Sequence, residues 1–451
     1  MWTKLRLRNW RCFEDTGEME LAPLTVLIGP NSGGKSSILK AFLVLRQTVE
    51  ERDPEVTLVT RGEGWDVGTY ADYVFRGDKQ RRIRFDLEWV PRRFGAPTLG
   101  RGTGRVRPVW QSSAVHPPHC LRVAWGLRGR PPRAVVLEAS SLMADLHGAV
   151  LHPVLRLRRS RGESYTASSG SSDLSRLENP SRDYRPRRSH QAPRELLDRL
   201  PAEVAGRQRN LEYRFHEELT ATAHLSPVRA EAERIYPAGE ATPSDVGPDG
   251  ARVWEVLRMG ASEEAAGARA QLSEWVDRIG LAKAVSVVGF GDRHYSIVVT
   301  DRAGHSANLA DAGGGVPYVV PLLVQGLAGQ RGSTLLVEQP EIELNPRMQA
   351  NLGDFMVYLV RKRRQQLIIE THSQHLLSRL RTLVVREELP PDQLAVYYCD
   401  LTADGARAQR LDVDRLGRFE EWPDGFFEEE LREAITQTDE LFRRSKAKER
   451  R

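Results

Sequence analysis

The sequence predicts an α/β fold: a mostly parallel sheet flanked by helices, with an N-terminal antiparallel β subdomain and an inserted Arg-rich β/loop region. Three observations predict it. The apolar run Leu24-Thr25-Val26-Leu27-Ile28 passes straight into a Gly-rich turn and then into a helix-compatible stretch opening at Lys35. Strand-like and helix-like segments alternate between residues 316 and 398, which is the pattern of parallel strands joined by crossover helices. The run from Arg82 to Trp89 alternates polar and apolar residues, which marks a half-buried strand.

In chain order, Thr3 to Leu21 reads as two short strands around NWRCFED. They lead into the strand at Leu24–Ile28 and the loop Gly29, Pro30, Asn31, Ser32, Gly33, Gly34, Lys35, Ser36, Ser37. Gly29, Gly34, Lys35 and Ser36 match G-x-x-x-x-G-K-[ST], the phosphate loop. Its glycines let successive backbone N–H groups face one anion, and the helix that follows adds its positive end. Lys35 is placed to reach the β- and γ-phosphates, and the Ser36 hydroxyl to ligate Mg²⁺. These residues predict a nucleoside triphosphate site, with ATP and Mg²⁺ as the expected ligands.

Ser36 to Glu50 has helical spacing, and a Gly/Asp-rich loop follows at residues 61–78. From Trp89 to Leu137 there is no Asp or Glu, while arginines recur among Gly and Pro. Strand-like runs at 121–127, 134–142 and 154–158 suggest an antiparallel meander, and the Ser/Arg/Pro-rich piece 168–192 reads as a linker or loop. Order returns near Leu211, with helices expected at 265–279, 316–328, 347–364 and from Ser373, and strands at 284–288, 294–300, 334–337, 366–369 and 394–398. The expected division is a β lobe with the phosphate loop at 1–90, an insertion at 91–210, an ATPase core at 211–400 and a tail module at 401–451. That tail holds WPDGFF and a charged amphipathic helix.

With 451 residues, 40% of them hydrophobic and 28% charged, the chain has the composition of a globular protein with a surface-heavy insertion. No apolar run is long enough to cross a bilayer, and MWTKLRLRNW lacks the apolar core of a signal peptide. Cys12, Cys120 and Cys399 form neither a disulfide framework nor a metal-ligand cluster. A cytoplasmic protein without membrane attachment is expected. The net charge of +5 permits nucleic-acid contact without requiring it.

Two later segments refine the site. Thr334 to Glu341 is an apolar strand ending in carboxylates, where a metal-coordinating acid and a water-activating group belong. Gln366 to Ser373 delivers a histidine to a strand's C-terminal end, which in a doubly wound sheet borders the ligand crevice. Taken in order, GPNSGGKSS, LADAGGG, LLVEQPEIELNP and IIETHSQHLL, with SPVRA upstream, resemble an ABC-type ATPase head. The branch is the OLD-like and SMC-like one, which includes ATPase subunits of bacterial anti-phage systems of the Septu and PARIS type. The resemblance covers residues 1–50 and 220–400. WPDGFF also resembles a short C-terminal module of unknown role in relatives.

The resemblance implies that Glu338 is the Mg²⁺-associated acid, working with Ser36, and that His372 is the switch histidine that senses the γ-phosphate. It implies that Asp311, Gly313, Gly314 and Gly315 form the signature that completes the site of an opposing subunit, so the active form would be an ATP-dependent homodimer or higher homo-oligomer. Two departures stand out. Gln339 follows Glu338 where most such ATPases carry a general-base glutamate, and an amide cannot accept the water's proton. Glu341 is the nearest alternative carboxylate, so slow hydrolysis is expected, with Glu338, Gln339, Glu341 and His372 as the catalytic set. Pro317-Tyr318 stands where relatives often carry Ser-Gln. Arg229, in SPVRA, either approaches the nucleotide or the dimer groove, or is a structural arginine bonded to carbonyls.

The resemblance leads to a sensor and scaffold of an anti-phage complex that controls a separate effector such as a nuclease or toxin. A DNA-repair or SMC-like ATPase that clamps duplex DNA is the alternative. Arg101, Arg105 and Arg107, with Trp110 and Trp125 nearby, form the candidate surface for duplex DNA, equally readable as a solvated β-meander. Asp412 and Asp414 read as a surface turn, and no nuclease centre is expected in this chain.

Overall fold

The computed structural model describes residues 1–53, 56–62, 65–90, 121–130, 133–144, 151–159, 164–168, 191–237, 239, 243, 245–259, 263–291, 293–313, 315–420, 422, 423 and 436. Three sheets result. The chain opens with β1 (Trp2–Trp10), β2 (Phe13–Asp15) and β3 (Met19–Glu20). After β4 (Leu24–Ile28), α1 (Lys35–Glu50) and α2 (Tyr70–Tyr73) it returns with β5 (Ile83–Trp89), β6 (Leu121–Arg130), β7 (Arg133–Ala144), β8 (Leu151–Arg159) and β9 (Tyr165–Ser168). Apart from β4, these strands form one antiparallel sheet in the order β2-β1-β5-β6-β7-β8-β9, with β3 also paired to β1. The expected N-terminal β subdomain and meander are thus one continuous sheet.

Trp2, Leu5, Leu7 and Trp10 of β1 are buried. The register shift between Trp2 and Lys4 lets Trp2 and Leu5 both face inward, which strict alternation would forbid. The Trp2 ring meets Phe42 of α1 at 5.4 Å and Trp89 at 5.6 Å, so the first sheet is clamped onto the helix that follows the phosphate loop.

Between the first and second sheets lie α3 (Arg194–Leu197) and α4 (Ala202–Thr220). Helix α4 begins ahead of Leu211, where the sequence pattern places the return of order, and runs through residue 210. It buries Val204, Gln208, Leu211, Phe215 and Leu219 at three- and four-residue steps, and the Phe215 ring lies tilted against Trp89 at 5.3 Å. The expected insertion at 91–210 is therefore helical at its end. Most of 168–192, together with Arg101, Arg105, Arg107 and Trp110, lies outside the described residues.

The chain continues through β10 (Thr222–Leu225) and β11 (Tyr236–Pro237), then α5 (Val253–Met259), α6 (Glu263–Ile279), β12 (Ala284–Phe290), β13 (His294–Thr300) and β14 (Ser306–Asn308). Strands β11 to β14 form a small antiparallel sheet. Next come α7 (Gly315–Ala328), β15 (Thr334–Glu338), α8 (Pro346–Tyr358), β16 (Gln366–Glu370), α9 (Gln374–Val385), β17 (Leu394–Thr402) and β18 (Gly405–Leu411). The central sheet runs β10-β15-β16-β4-β17-β18, parallel except for β18. Every residue of β4, β10, β15 and β16 is buried, as helix-covered parallel strands require. Among the described residues, no helix is long and apolar enough to cross a membrane.

Candidate functional site

The C-terminal ends of β4, β15 and β16 open side by side, and the site is assembled there. Gly29 leaves β4 at φ 137°, and a Cβ on it would stand 2.0 Å from the Cys399 carbonyl oxygen. At Gly33 the same oxygen would lie 2.3 Å away. The backbone of β17 is therefore the floor of the loop, and only glycine allows that approach. Gly34 turns into α1 at φ 97°, with Phe13 and Cys12 filling the space a side chain would need. Pro30, Asn31 and Ser32 form the exposed crest. Lys35 is buried and donates from Nζ to the carbonyls of Gly29 (3.1 Å) and Pro30 (2.8 Å), holding the crest over α1. Burial pulls its pKa below the ordinary lysine value, opposed chiefly by Glu370, whose Oε1 is 4.0 Å away.

Parallel pairing of β15 with β16 sets Glu338 directly beside Glu370, and both are buried. Glu338 Oε1 accepts a hydrogen bond from His224 Nε2 at 2.9 Å. Burial holds that imidazole below its ordinary pKa, which keeps it neutral, and the Trp65 ring packs edge-on against it at 4.8 Å. Glu370 is hydrogen-bonded to the Ser36 side chain; burial raises its pKa, and Glu338 adds to the rise. Two carboxylates and a hydroxyl converging beside a phosphate loop are hard oxygen donors, the set that suits Mg²⁺. Among the described residues no group of three or more His, Cys, Asp and Glu side chains is arranged to hold a metal. A cation here would complete its shell with Ser36, phosphate oxygens and water.

Gln339 adopts φ 46°, the left-handed region that residues with a Cβ rarely occupy, and its N–H donates to the Glu370 carbonyl at 2.8 Å. That turn bends the chain so that Glu341 comes back under β16, where its Oε1 accepts from the His372 N–H at 2.6 Å. Burial raises the Glu341 carboxyl above the usual range, and its Oε2 is buried with no partner among the described residues. His372 is half-buried, with its pKa lowered by burial and by Lys35. Behind it, Ser373 caps α9 by accepting from Leu376 N–H and donates to Gln349.

The structure thus brings together Gly29 to Ser37, Glu338, Gln339, Glu341 and His372. The signature group stands elsewhere, between β14 and α7. Asp311 there makes a two-pronged ion pair with Arg234 (2.6 and 2.8 Å), and no bond among the described residues joins it to the loop. Gly313 follows, Gly314 lies outside the described residues, and Gly315 opens α7, placing Pro317 in the first turn. Arg229 is buried; its Nε and Nη1 have no partner among the described residues, so the carbonyl-bonded alternative fails for those two groups. Burial lowers its pKa to about 10, with Glu338 the main opposing charge. Sequence reasoning missed Glu370 and His224. The register of β15 against β16, and of β10 against β15, carries them into the site, and both lie within segments already singled out or adjoining them.

A phosphate loop, a strand-end acid and a neighbouring strand with an acid and a histidine define a P-loop ATPase. Comparisons with known proteins agree. A family described as "AAA ATPase domain" matches residues 1–74, and one described as "AAA domain, putative AbiEii toxin, Type IV TA system" matches residues 144–378. The second match takes in more than half of the chain, and the chain belongs to that family. It is an AAA-type ATPase. Residues 389–436 match a "Protein of unknown function (DUF3696)", a stretch that includes WPDGFF.

Over 42 residues the chain is 46% identical to an OLD nuclease of Thermus scotoductus, a match spanning 9% of this chain and 8% of that protein. Similar solved structures include an SMC head domain from Thermotoga maritima (TM-score 0.39, 10% identity, 91% of this chain and 99% of that one). Another is an SmcHead bound to the C-winged helix domain of ScpA (TM-score 0.45, 10% identity, 92% and 98%). A third is an Smc head with an extended coiled coil bound to the C-terminal domain of ScpA, derived from Pyrococcus furiosus (TM-score 0.42, 9% identity, 98% and 99%).

Proposed function

We propose that this chain binds ATP with Mg²⁺ at Gly29–Ser37 and Glu338, hydrolyses it slowly, and closes into a homodimer in which Asp311 and Gly313–Gly315 of each subunit face the other's nucleotide. In this reading it is a cytoplasmic sensor and scaffold of an anti-phage complex, and a separate nuclease or toxin is its effector. The observation that carries the slow-hydrolysis reading is the pairing of Gln339 with Glu341. The amide beside Glu338 orients water but takes no proton, and Glu341, two residues on, keeps a buried Oε2 with no partner among the described residues. The defence role draws its support from the toxin named in the family description and from the short likeness to an OLD nuclease.

The test is ATP turnover by the purified protein, with and without linear duplex DNA. The expected result is turnover at least tenfold below the ~10 s⁻¹ typical of enzymes, indifferent to DNA. Glu341→Gln lowers it by a further ~100-fold, the scale of general-base loss, while the melting temperature holds. Turnover unchanged in Glu341→Gln would remove Glu341 from the mechanism.

A second reading, clamping of duplex DNA, draws on the acid-free Arg stretch between residues 89 and 137. It expects the combined replacement of Arg101, Arg105 and Arg107 by Ala to weaken DNA retention and flatten the salt dependence by up to three phosphate contacts. Retention measured on a duplex column across a salt series decides this, and an unchanged slope dismisses the patch.

A further inference from the structure

Two buried carboxylates side by side repel unless something positive lies between or beside them. Glu338 and Glu370 are such a pair, locked as register partners on β15 and β16 with 4% and 5% of their surface exposed. Their environments differ. Glu338 has His224 as a hydrogen-bond donor. Glu370 has the Ser36 hydroxyl on one side and the Lys35 ammonium 4.0 Å from Oε1, while its Oε2 is buried with no partner among the described residues. An orphaned carboxylate oxygen beside a second acid and the Ser36 hydroxyl of a phosphate loop is a donor suited to a hard cation.

We propose that Glu370 is a second protein carboxylate of the Mg²⁺ site, so that the cation is gripped by two strand-end acids and the Ser36 hydroxyl instead of by Glu338 alone. The inference rests on the ATP-binding reading and deepens it. Two acids at the phosphate loop oppose a bare triphosphate, so the cation is required for nucleotide entry and not only for hydrolysis. Wild-type protein should bind ATP at least tenfold more weakly in EDTA than in Mg²⁺. Replacing Glu370 by Gln keeps the shape and an acceptor for Ser36 while removing the charge. It should leave metal-free ATP affinity equal or higher, and weaken Mn²⁺ binding in the presence of ATP by about tenfold or more.

The experiment titrates full-length wild type and Glu370→Gln with ATP by calorimetry, with and without Mg²⁺, and with Mn²⁺ by electron paramagnetic resonance in the presence of ATP. Thermal melting checks the fold. Should the Gln variant not fold, Glu370→Asp, which retracts the carboxylate by one methylene, is expected to weaken Mn²⁺ in the same direction. Wild-type protein that takes up no ATP under any condition overturns the nucleotide reading and this inference together. Wild-type protein that binds MgATP, alongside a folded Gln or Asp variant with unchanged Mn²⁺ affinity, overturns the role of Glu370 alone.

Discussion

Replacing Lys35 by Met is expected to cut ATP affinity by ~100-fold or more. The phosphate-loop motif places this ammonium to reach the phosphates, and in the structure it lies under the loop crest, donating to the Gly29 and Pro30 carbonyls. Charge-assisted hydrogen bonds contribute about 1.5–3 kcal/mol each, and each 1.4 kcal/mol is a factor of ten in affinity. Met preserves an unbranched stem at this buried position, so the effect reads charge and not packing. The loss should be partly electrostatic in a second way. Lys35 stands 4.0 Å from Glu370, so without it Glu338 and Glu370 oppose the triphosphate with less compensation. Calorimetry with a slowly hydrolysed ATP analogue measures this directly, and an affinity within threefold of wild type would mean the phosphates bind elsewhere.

The second large effect lies in the scaffold. Gly29→Ala is expected to destabilise the protein by about 3 kcal/mol or more, because two costs coincide. The backbone sits at φ 137°, where an L side chain is strained by ~1–3 kcal/mol, and the new methyl carbon would lie 2.0 Å from the Cys399 carbonyl oxygen. Relief demands that β4 and β17 separate, which overpacking data place at another ~1–3 kcal/mol. A fall in melting temperature of about 5 °C or more is the readout. Gly17→Ala is the internal comparison, since its φ of 68° carries strain alone and nothing lies within 4 Å of a built Cβ. Equal melting of the Gly29 and Gly17 variants would show that Cys399 is not the floor of the loop.

Much of this architecture was legible because its signals are local. The loop from Gly29 to Ser37 needs a fixed order of glycines, lysine and serine, and the apolar runs at β4, β15 and β16 can only be buried strands. Glu338, Glu341 and His372 were reachable for the same reason: each sits at a fixed step from an apolar run. Glu370 and His224 depend instead on which strand lies beside which. The sequence order of β10, β15 and β16 says nothing of the pairing that sets Thr222 opposite Thr334, and Thr334 opposite Gln366. Helix α4 was hidden by its polar average, although Val204, Leu211, Phe215 and Leu219 trace a stripe. Strand β18, GARAQRL, has few strand formers and exists through its pairing with β17. Gln339 at φ 46° follows from the need to bring Glu341 back to the His372 N–H, a tertiary demand that no propensity contains.

The order of strands in the central sheet also sets a timetable for synthesis. Strand β4 ends at residue 28, yet both its sheet neighbours, β16 and β17, are made between residues 366 and 402. At ~5–20 residues per second, that interval is roughly 20–70 s during which a strand that ends up wholly buried has neither of its sheet neighbours. The nascent chain must therefore be sheltered by its own first sheet, by α1 packing on Trp2, or by a holdase. The site at the phosphate loop closes only when β16 and β17 have been made, so a translation product interrupted before them would carry the whole phosphate-loop motif and still have no site.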